Sequence, residues 1–183
     1  MILSPRLLVR SAFLCSIIVI VTQITRFSSA IVPFSLLPGI YVLGAIVFTP
    51  LENGFAWMIY ILLGLMGVPV FATPPYGGPG YLLKPTFGFL LGYLLLSPLF
   101  SWIIQKRKKT SFYYLLFLSF AAVSLPYVPG LVYLWVIMKF VIQANISFEH
   151  TLKTGFIPFI GGDILKAIVA FLIVWKAKPL RGQ

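Results

Sequence analysis

Long apolar runs separated by short turn segments constrain the possible folds of this chain more than any other feature. The runs lie at about residues 7–25, 36–48, 55–70, 85–104, 112–138 and 159–175. We expect the fifth to be kinked or broken near Pro126 and Pro129. A helix needs about 20 mostly apolar residues to cross the hydrocarbon core of a bilayer, and the second and third runs fall short of that length. Short helices are tolerated in a membrane where they border protein or a water-filled cavity. We therefore predict an all-α integral membrane protein of six transmembrane helices, with residues 1–183 forming a single membrane domain around a cavity.

Composition supports lipid as the solvent. Hydrophobic types make up 60% of the 183 residues and charged types only 9%, far from the averages of water-soluble domains. The net charge of +11 could attract nucleic acid. However, nine of the fourteen Lys and Arg residues fall in three clusters between or beyond the apolar runs, at residues 6–10, 106–109 and 176–181. Such clusters fix the orientation of membrane proteins, so we expect no nucleic-acid partner.

The distribution of positive charge predicts the topology. With the N-terminus inside, six crossings place all three basic clusters on the cytoplasmic face, as the positive-inside rule requires. The outer face then carries only Arg26, Lys84, Lys139 and Lys153, while Lys166 falls within a span. We predict a multi-pass protein of the bacterial inner membrane with both termini in the cytoplasm.

The first apolar run also has features of a secretory signal peptide, because Arg6 and Arg10 precede it and small residues follow it. Gln23, Thr25 and Arg26 make a poor approach to a cleavage site. We therefore expect this run to be kept as the first helix.

The acidic residues are few enough to consider one by one. Glu52 and Glu149 fall in predicted turns, where a solvated charge is the simplest interpretation. Asp163 follows a Gly-Gly pair at the predicted mouth of the last helix, and Lys166 lies three residues later on the same helical face. Ionisable groups inside a membrane are costly and usually line a site or a pathway. The alternative is that Asp163 caps the helix while Lys166 extends outward or pairs with it.

The sequence lacks the residue patterns that catalysis and cofactor binding require. His150 is the only histidine, and no second metal ligand lies near it in the sequence. No Ser–His–Asp arrangement or carboxylate pair is present for nucleophilic or acid–base chemistry. The Gly-rich segment at residues 77–80 is not followed by Lys-Ser or Lys-Thr, so it is not a phosphate-binding loop. We expect neither an enzyme nor a bound metal or cofactor.

Small residues recur at four-residue spacing in two helices. Ser11 with Cys15, and Ala12 with Ser16, line the first helix, and a Gly-x-x-x-Gly pattern opens the fourth at residues 88–92. Small residues let helices approach closely in a membrane. The first-helix residues could therefore serve internal packing or the docking of a partner subunit.

Three segments resemble the BioY family, the biotin-specific substrate-binding (S) components of energy-coupling factor (ECF) transporters. They are Gly64–Ala72, then Gly77–Tyr81 with Lys84–Gly92, and Gly155–Lys166, with a weaker match at Ile31–Leu36. The chain departs from the family pattern at Ser35–Pro38, where Thr-Leu-Gln is common, and at Phe87, where a second glycine is usual. The first helix of this chain also lacks the Ala-x-x-x-Ala pattern that is associated with coupling-subunit docking in S components.

The resemblance implies a six-helix bundle that binds biotin from outside. A coupling membrane subunit and a pair of ATPases would then drive release inside. By this resemblance Asp163 accepts from the ureido N–H groups of biotin, and Lys166 or Lys84 holds its carboxylate. The ligand-binding set is completed by Tyr81, Thr86, Gly88 and Phe89, and the loop at residues 71–84 would cover the ligand.

Two other interpretations stay open at this point. The chain could be an S component or carrier for a different small vitamin, which the ligand that purifies with it would reveal. It could also be a membrane enzyme or a non-catalytic assembly protein. An enzyme should show clustered acids or histidines, and an assembly protein would need neither Asp163 nor Lys166.

Overall fold

A computed structural model describes residues 4–28, 35–106 and 111–177, which are helical and contain no β-strand. Part of the weak match at residues 31–34, and parts of two basic clusters, at residues 107–109 and 178–181, lie outside these ranges. The helices are α1 Pro5–Ser28, α2 Leu37–Val47, α3 Pro50–Leu65, α4 Phe87–Gln105, α5 Phe112–Ser124, α6 Tyr127–Val136, α7 Phe148–Gly155 and α8 Ile157–Ala177. A 3-10 turn at Pro79–Leu83 precedes α4, and a π-helical turn at Ile137–Val141 follows α6.

Four helical stretches within the described ranges are long and apolar enough to cross a membrane. They are Pro5–Arg26, Phe87–Gln105, Phe112–Val141 and Ile157–Lys176. Helix α2 is apolar but has only 11 residues, or roughly 16 Å of helix at 1.5 Å per residue, and α3 has 16. The chain is therefore a multi-pass membrane protein, whose described residues form an all-helical fold with four candidate spans and the shorter helices α2, α3 and α7.

The start of α3 differs from the prediction. Residues 52–54 were expected to form a polar turn, but the helix begins at Pro50 and Thr49 caps it. The Thr49 hydroxyl accepts from the Glu52 N–H at 3.4 Å, and the Glu52 carboxylate accepts from the Thr49 N–H at 2.8 Å. This reciprocal capping box satisfies two N–H groups that the first helical turn leaves open. Arg10 of α1 then pairs with Glu52 at 3.1 Å, so the prediction of a solvated Glu52 is wrong and the side chain is buried.

The C-terminal end of α2 lies inside the bundle, where its last carbonyl groups have no helical partners. Side chains from α3 and α4 satisfy these carbonyls. Asn53, which is fully buried, donates to the Gly44 and Phe48 carbonyl oxygens at 3.0 and 3.2 Å. The Phe48 carbonyl also accepts from the Ser101 hydroxyl and from the Gln105 amide. These hydrogen bonds let this short helix end inside the bundle without unsatisfied backbone carbonyls.

Prolines and capping residues set the remaining boundaries. The predicted break near Pro126 and Pro129 is confirmed, because α5 ends at Ser124 and α6 begins at Tyr127. Helix α4 begins at Phe87 rather than at Pro85, because the backbone at Lys84 is still extended after the 3-10 turn. Helix α7 was not predicted. Its polar sequence lacks the apolar run by which the other helices were recognised.

The buried amide suggests a stability test. We expect Asn53→Leu to lower the stability of the detergent-purified protein by about 2 kcal/mol, or roughly 5 °C in unfolding midpoint, because α2 carbonyls lose their donors. Thermal unfolding followed by size-exclusion chromatography measures this. Asn145→Leu, at an exposed position, is the control. Equal midpoints for the two variants would show that the α2 end does not depend on Asn53.

Candidate ligand-binding site

A cavity of about 430 Å³ lies at one end of the bundle, where α1 and α3 end and where α2, α4 and α8 begin. Its walls are mostly apolar and aromatic, with a small number of polar groups. The lining residues are Thr25, Ser35, Leu37, Pro38, Tyr60, Ala72, Thr73, Tyr81, Thr86, Phe89, Leu90, Tyr93, Tyr127, Leu134, Thr154, Gly155, Phe159 and Asp163. This size and this composition are typical of small-molecule pockets.

Asp163 is the one acidic residue in the cavity wall. Helix α8 begins at Ile157 and continues through Gly161 and Gly162, so Asp163 lies in its second turn. The prediction that Asp163 stands at the helix mouth is wrong, and the capping interpretation falls with it. The side chain is buried, at 7% exposure, and is therefore available to the cavity rather than to the helix N-terminus.

Two donors hold the Asp163 carboxylate in place. The Tyr127 hydroxyl donates to Oδ2 at 2.6 Å, and the Lys166 ammonium donates to Oδ1 at 2.7 Å. The ion pair is largely shielded, because its side chains are 15% and 10% exposed for Lys166 and Asp163. A paired charge is far less costly in an apolar environment than a lone one. Each carboxylate oxygen also keeps a second lone pair, so Asp163 remains able to accept from a ligand N–H.

The structure divides the predicted ligand-binding residues into two groups. Asp163, Tyr81, Thr86 and Phe89 line the cavity, and Lys166 reaches the cavity wall through its ion pair with Asp163. Lys84 and Gly88 do not belong to the lining.

The two residues outside the lining have other surroundings. Lys84 is half-buried and ends the 3-10 turn. Gly88 faces α6, where an added Cβ would overlap the Cβ of Tyr133 and approach the Pro129 carbonyl to 3.0 Å. The prediction that Gly88 contacts the ligand is corrected accordingly, since its small size serves helix packing.

Sequence reasoning missed most of the aromatic wall. Tyr60, Tyr93 and Tyr127 all line the cavity, yet none was singled out. Tyr127 had the clearest signal, because it falls between Pro126 and Pro129, where a helix break was expected. Breaks in membrane helices often accompany binding sites.

The loop between α3 and α4 supplies one wall of the cavity, through Ala72, Thr73 and Tyr81. The ring of Phe71 stacks on that of Tyr81 with centroids 4.0 Å apart. Thr73 and Tyr81 are also joined by a hydrogen bond of 3.0 Å between their hydroxyls. The loop therefore has internal order of its own.

Side chains of neighbouring helices fasten this loop to the bundle. Gln23 of α1 donates to the carbonyl oxygens of Pro69 and Val70 at 3.1 and 3.4 Å. Arg26, near the end of α1, donates to the carbonyl oxygens of Pro69 and Phe71 at 2.7 and 2.9 Å. Its guanidinium also lies 4.0 Å from the ring centroid of Tyr76, within the range of a cation–π contact. At the other side, the Tyr133 hydroxyl of α6 donates to the Leu82 carbonyl. The loop is thus tied to α1 at one end and to α6 at the other.

The small residues of α1 fall on two different faces. Ser11 and Cys15 are buried in the bundle, while Ala12 and Ser16 are exposed. A docking role for Ser11 and Cys15 is therefore wrong, since a partner could not reach them. For Ala12 and Ser16 that role stays a prediction.

Comparison with known proteins gives concordant matches. The model of the BioY family matches residues 1–183. The "Biotin transporter BioY" of Thermotoga maritima is 32% identical over 150 residues, which cover 81% of this chain and 82% of that protein. The "Biotin transporter BioY2" of Lactococcus lactis is 39% identical over 119 residues, which cover 64% of this chain and 60% of that protein.

A solved structure has the same fold. The crystal structure of "the S-component for biotin from an ECF-type ABC transporter" superposes with a TM-score of 0.76 at 22% identity. The match covers 100% of this chain and 96% of that one.

The anchoring of the loop is open to a direct test. We expect Arg26→Gln to speed amide hydrogen exchange in the peptide spanning residues 69–81, because two hydrogen bonds and a cation–π contact are lost. Exchange measured by mass spectrometry reports the change. Lys153→Gln, which removes an exposed charge on α7, is the control. Unchanged exchange in the Arg26 variant would mean that the Arg26 side chain does not hold the loop.

Proposed function

The chain belongs to the BioY family, and we propose that it is the subunit that captures biotin for uptake across the cytoplasmic membrane. It is a transport protein rather than an enzyme. The observation that carries the proposal is the buried Asp163, held by Tyr127 and Lys166 in the wall of an otherwise aromatic and apolar cavity. The matches to biotin transporters over most of the chain identify the ligand that such a cavity would serve.

The chemistry of biotin complements these groups. Its ureido ring offers two N–H donors and a carbonyl acceptor, and a carboxylate is a strong acceptor for such donors. We therefore assign the ureido N–H groups to Asp163. The bicyclic ring system is apolar on both faces, and Tyr81, Phe89 and Tyr93 of the lining would enclose it.

The acid group of biotin needs a positive partner in a low-dielectric site. Lys166, which donates to Asp163, and Lys84 are the two basic residues assigned to the ligand. The Asp163–Lys166 pair is neutral by itself, so Lys84 would supply the charge that neutralises the ligand carboxylate.

For the topology we propose six crossings, with α2 and α3 as short ones and with the α5–α6 stretch as a single broken one. This arrangement places both termini in the cytoplasm and the cavity toward the outside. It is supported by nine inner Lys and Arg residues against four outer ones. The α3–α4 loop would then act as an outer cover that moves when biotin enters and leaves.

We also propose that this subunit works with an ECF coupling membrane subunit and a pair of ATPases. The sequence has no phosphate-binding loop of its own, and a partner pair of ATPases would supply the nucleotide sites that this chain lacks. Ala12 and Ser16, exposed on α1, form the small-residue face on which we expect the coupling subunit to dock.

An S component for another small vitamin is the remaining alternative. Mass spectrometry of the small molecule that purifies with the detergent-extracted protein separates the two. Biotin in the eluate supports the proposal, and a different vitamin in stoichiometric amount would replace it.

The charged pair provides a test of the site. We expect Lys166→Met and Asp163→Asn each to weaken biotin binding about tenfold or more, because each loses a charge-assisted hydrogen bond. Isothermal titration measures the affinity. Lys153→Met, on exposed α7, is the matched control for the loss of a lysine.

A double variant distinguishes the loss of biotin binding from misfolding. Lys166→Met alone leaves a buried carboxylate without its charge partner, which destabilises, whereas Asp163→Asn with Lys166→Met keeps the site neutral. We expect this double variant to be monodisperse and still deficient in biotin binding. Wild-type affinity in the double variant would contradict the assignment of the pair to the ligand.

The orientation can be checked by cysteine labelling of intact cells. In a Cys15→Ala background, a membrane-impermeant maleimide should label Glu149→Cys but neither Ser111→Cys nor Lys176→Cys. All three positions are exposed in the bundle, so access depends on the side of the membrane. Labelling of Lys176→Cys from outside would rule out a cytoplasmic C-terminus.

A further inference from the structure

The contact between α4 and α6 is built from glycines opposite bulky residues. An added Cβ on Gly88 would overlap Tyr133, and one on Gly92 would stand 3.1 Å from the Pro126 carbonyl oxygen. In the opposite direction, the ring of Phe89 on α4 lies over Gly130 on α6. Three close approaches along one contact leave the two helices little freedom to shift against each other.

The Gly130 position differs from the other two because its partner borders the cavity. Phe89 lines the cavity and lies edge-on to the ring of Tyr127, with centroids 5.5 Å apart and planes at 88°. Tyr127 in turn donates to Asp163. The placement of the Phe89 ring therefore decides how much room remains beside the polar group of the site.

A methyl group at position 130 would force the ring to move. The Cβ of an alanine there would stand 2.5, 2.6 and 2.8 Å from three ring atoms of Phe89, about 1 Å inside ordinary carbon–carbon contact. Separating α4 from α6 would break the contacts at Gly88 and Gly92 on either side. Rotation of the ring into the cavity disturbs less, because that side is open.

We propose that Gly130 determines ligand size in this pocket, although its backbone and hydrogen atoms do not line it. Glycine lets the Phe89 ring lie back against α6, which keeps the cavity wide enough for a bicyclic ligand next to Asp163. A larger residue at position 130 would narrow the pocket, and a bicyclic ligand would then bind more weakly than a ligand with one ring. The choice of biotin as the ligand rests on the proposed function. The effect of residue 130 on the size of the pocket rests on the α4–α6 geometry.

The test compares biotin with desthiobiotin, which has the ureido ring and an acid chain but lacks the sulfur-containing ring. In Gly130→Ala we expect biotin affinity to fall about tenfold or more, the range of an overpacked site. Desthiobiotin affinity should fall clearly less. Titration calorimetry on the full-length protein in detergent measures both.

Further variants separate this effect from simple damage to the fold. Phe89 itself borders the ligand, so Phe89→Leu is measured alone and together with Gly130→Ala. Leucine at position 89 removes the clash, and the double variant should therefore have the same biotin-to-desthiobiotin affinity ratio as Phe89→Leu alone. Gly92→Ala overpacks the same helix contact away from the cavity, so it should lower the unfolding midpoint without changing that ratio.

The outcomes are distinct. An unchanged ratio in Gly130→Ala, or an equally large effect of Gly130→Ala when position 89 is leucine, would overturn the role of Gly130. Failure of the parent protein to bind either compound would instead overturn the proposed function, and the two failures are distinguishable because the parent is measured first.

Discussion

The hydrogen bonding of the α2 carbonyl end is the interaction on which the rest of the bundle depends. An unpaired carbonyl is costly in an apolar surrounding, and the C-terminal end of this 11-residue helix is buried against α3 and α4. Asn53 solves this by donating to α2 carbonyls while its own Oδ1 accepts from the Ser97 hydroxyl at 2.8 Å. Because α2 is short, space remains beyond its first residues, and Leu37 and Pro38 line the cavity there. The two ends of α2 thus have different surroundings, because polar side chains satisfy its C-terminal carbonyls while its first residues line the cavity.

Much of this architecture follows from sequence patterns that report local physics. Apolar length identified the membrane helices, proline identified the break before α6, and the spacing of Asp163 and Lys166 correctly placed them on one face. The errors arose where neighbouring helices decide the outcome. The sequence predicts Glu52 in a turn, but in the structure it bonds to Thr49 and pairs with Arg10. The Gly161–Gly162 pair predicts a break before the last helix, but both residues lie within α8.

The lining of the site was less accessible to sequence reasoning than its charges. A charged residue in an apolar run stands out because burial without a partner is expensive, which is why Asp163 was found. Aromatic residues are abundant, and nothing in the sequence separates Tyr93, which lines the cavity, from Tyr41, which packs against it with centroids 4.9 Å apart. Glycines pose the same difficulty. Gly88 and Gly130 both relieve helix contacts, but only the opposing side chain tells which of them shapes the pocket.

The anchoring of the α3–α4 loop has a consequence for how the protein could be altered. Arg26 and Tyr133 both donate to main-chain carbonyl oxygens, which every residue type provides. The path of the loop is therefore specified from outside the loop, by α1 and α6. A side chain such as Ala72, which lines the cavity, can then be exchanged without removing these hydrogen bonds, whereas Thr73 is also bonded to Tyr81. Substitutions in this loop would therefore be a suitable way to change the side chains that line the cavity when the pocket is redesigned for a different ligand.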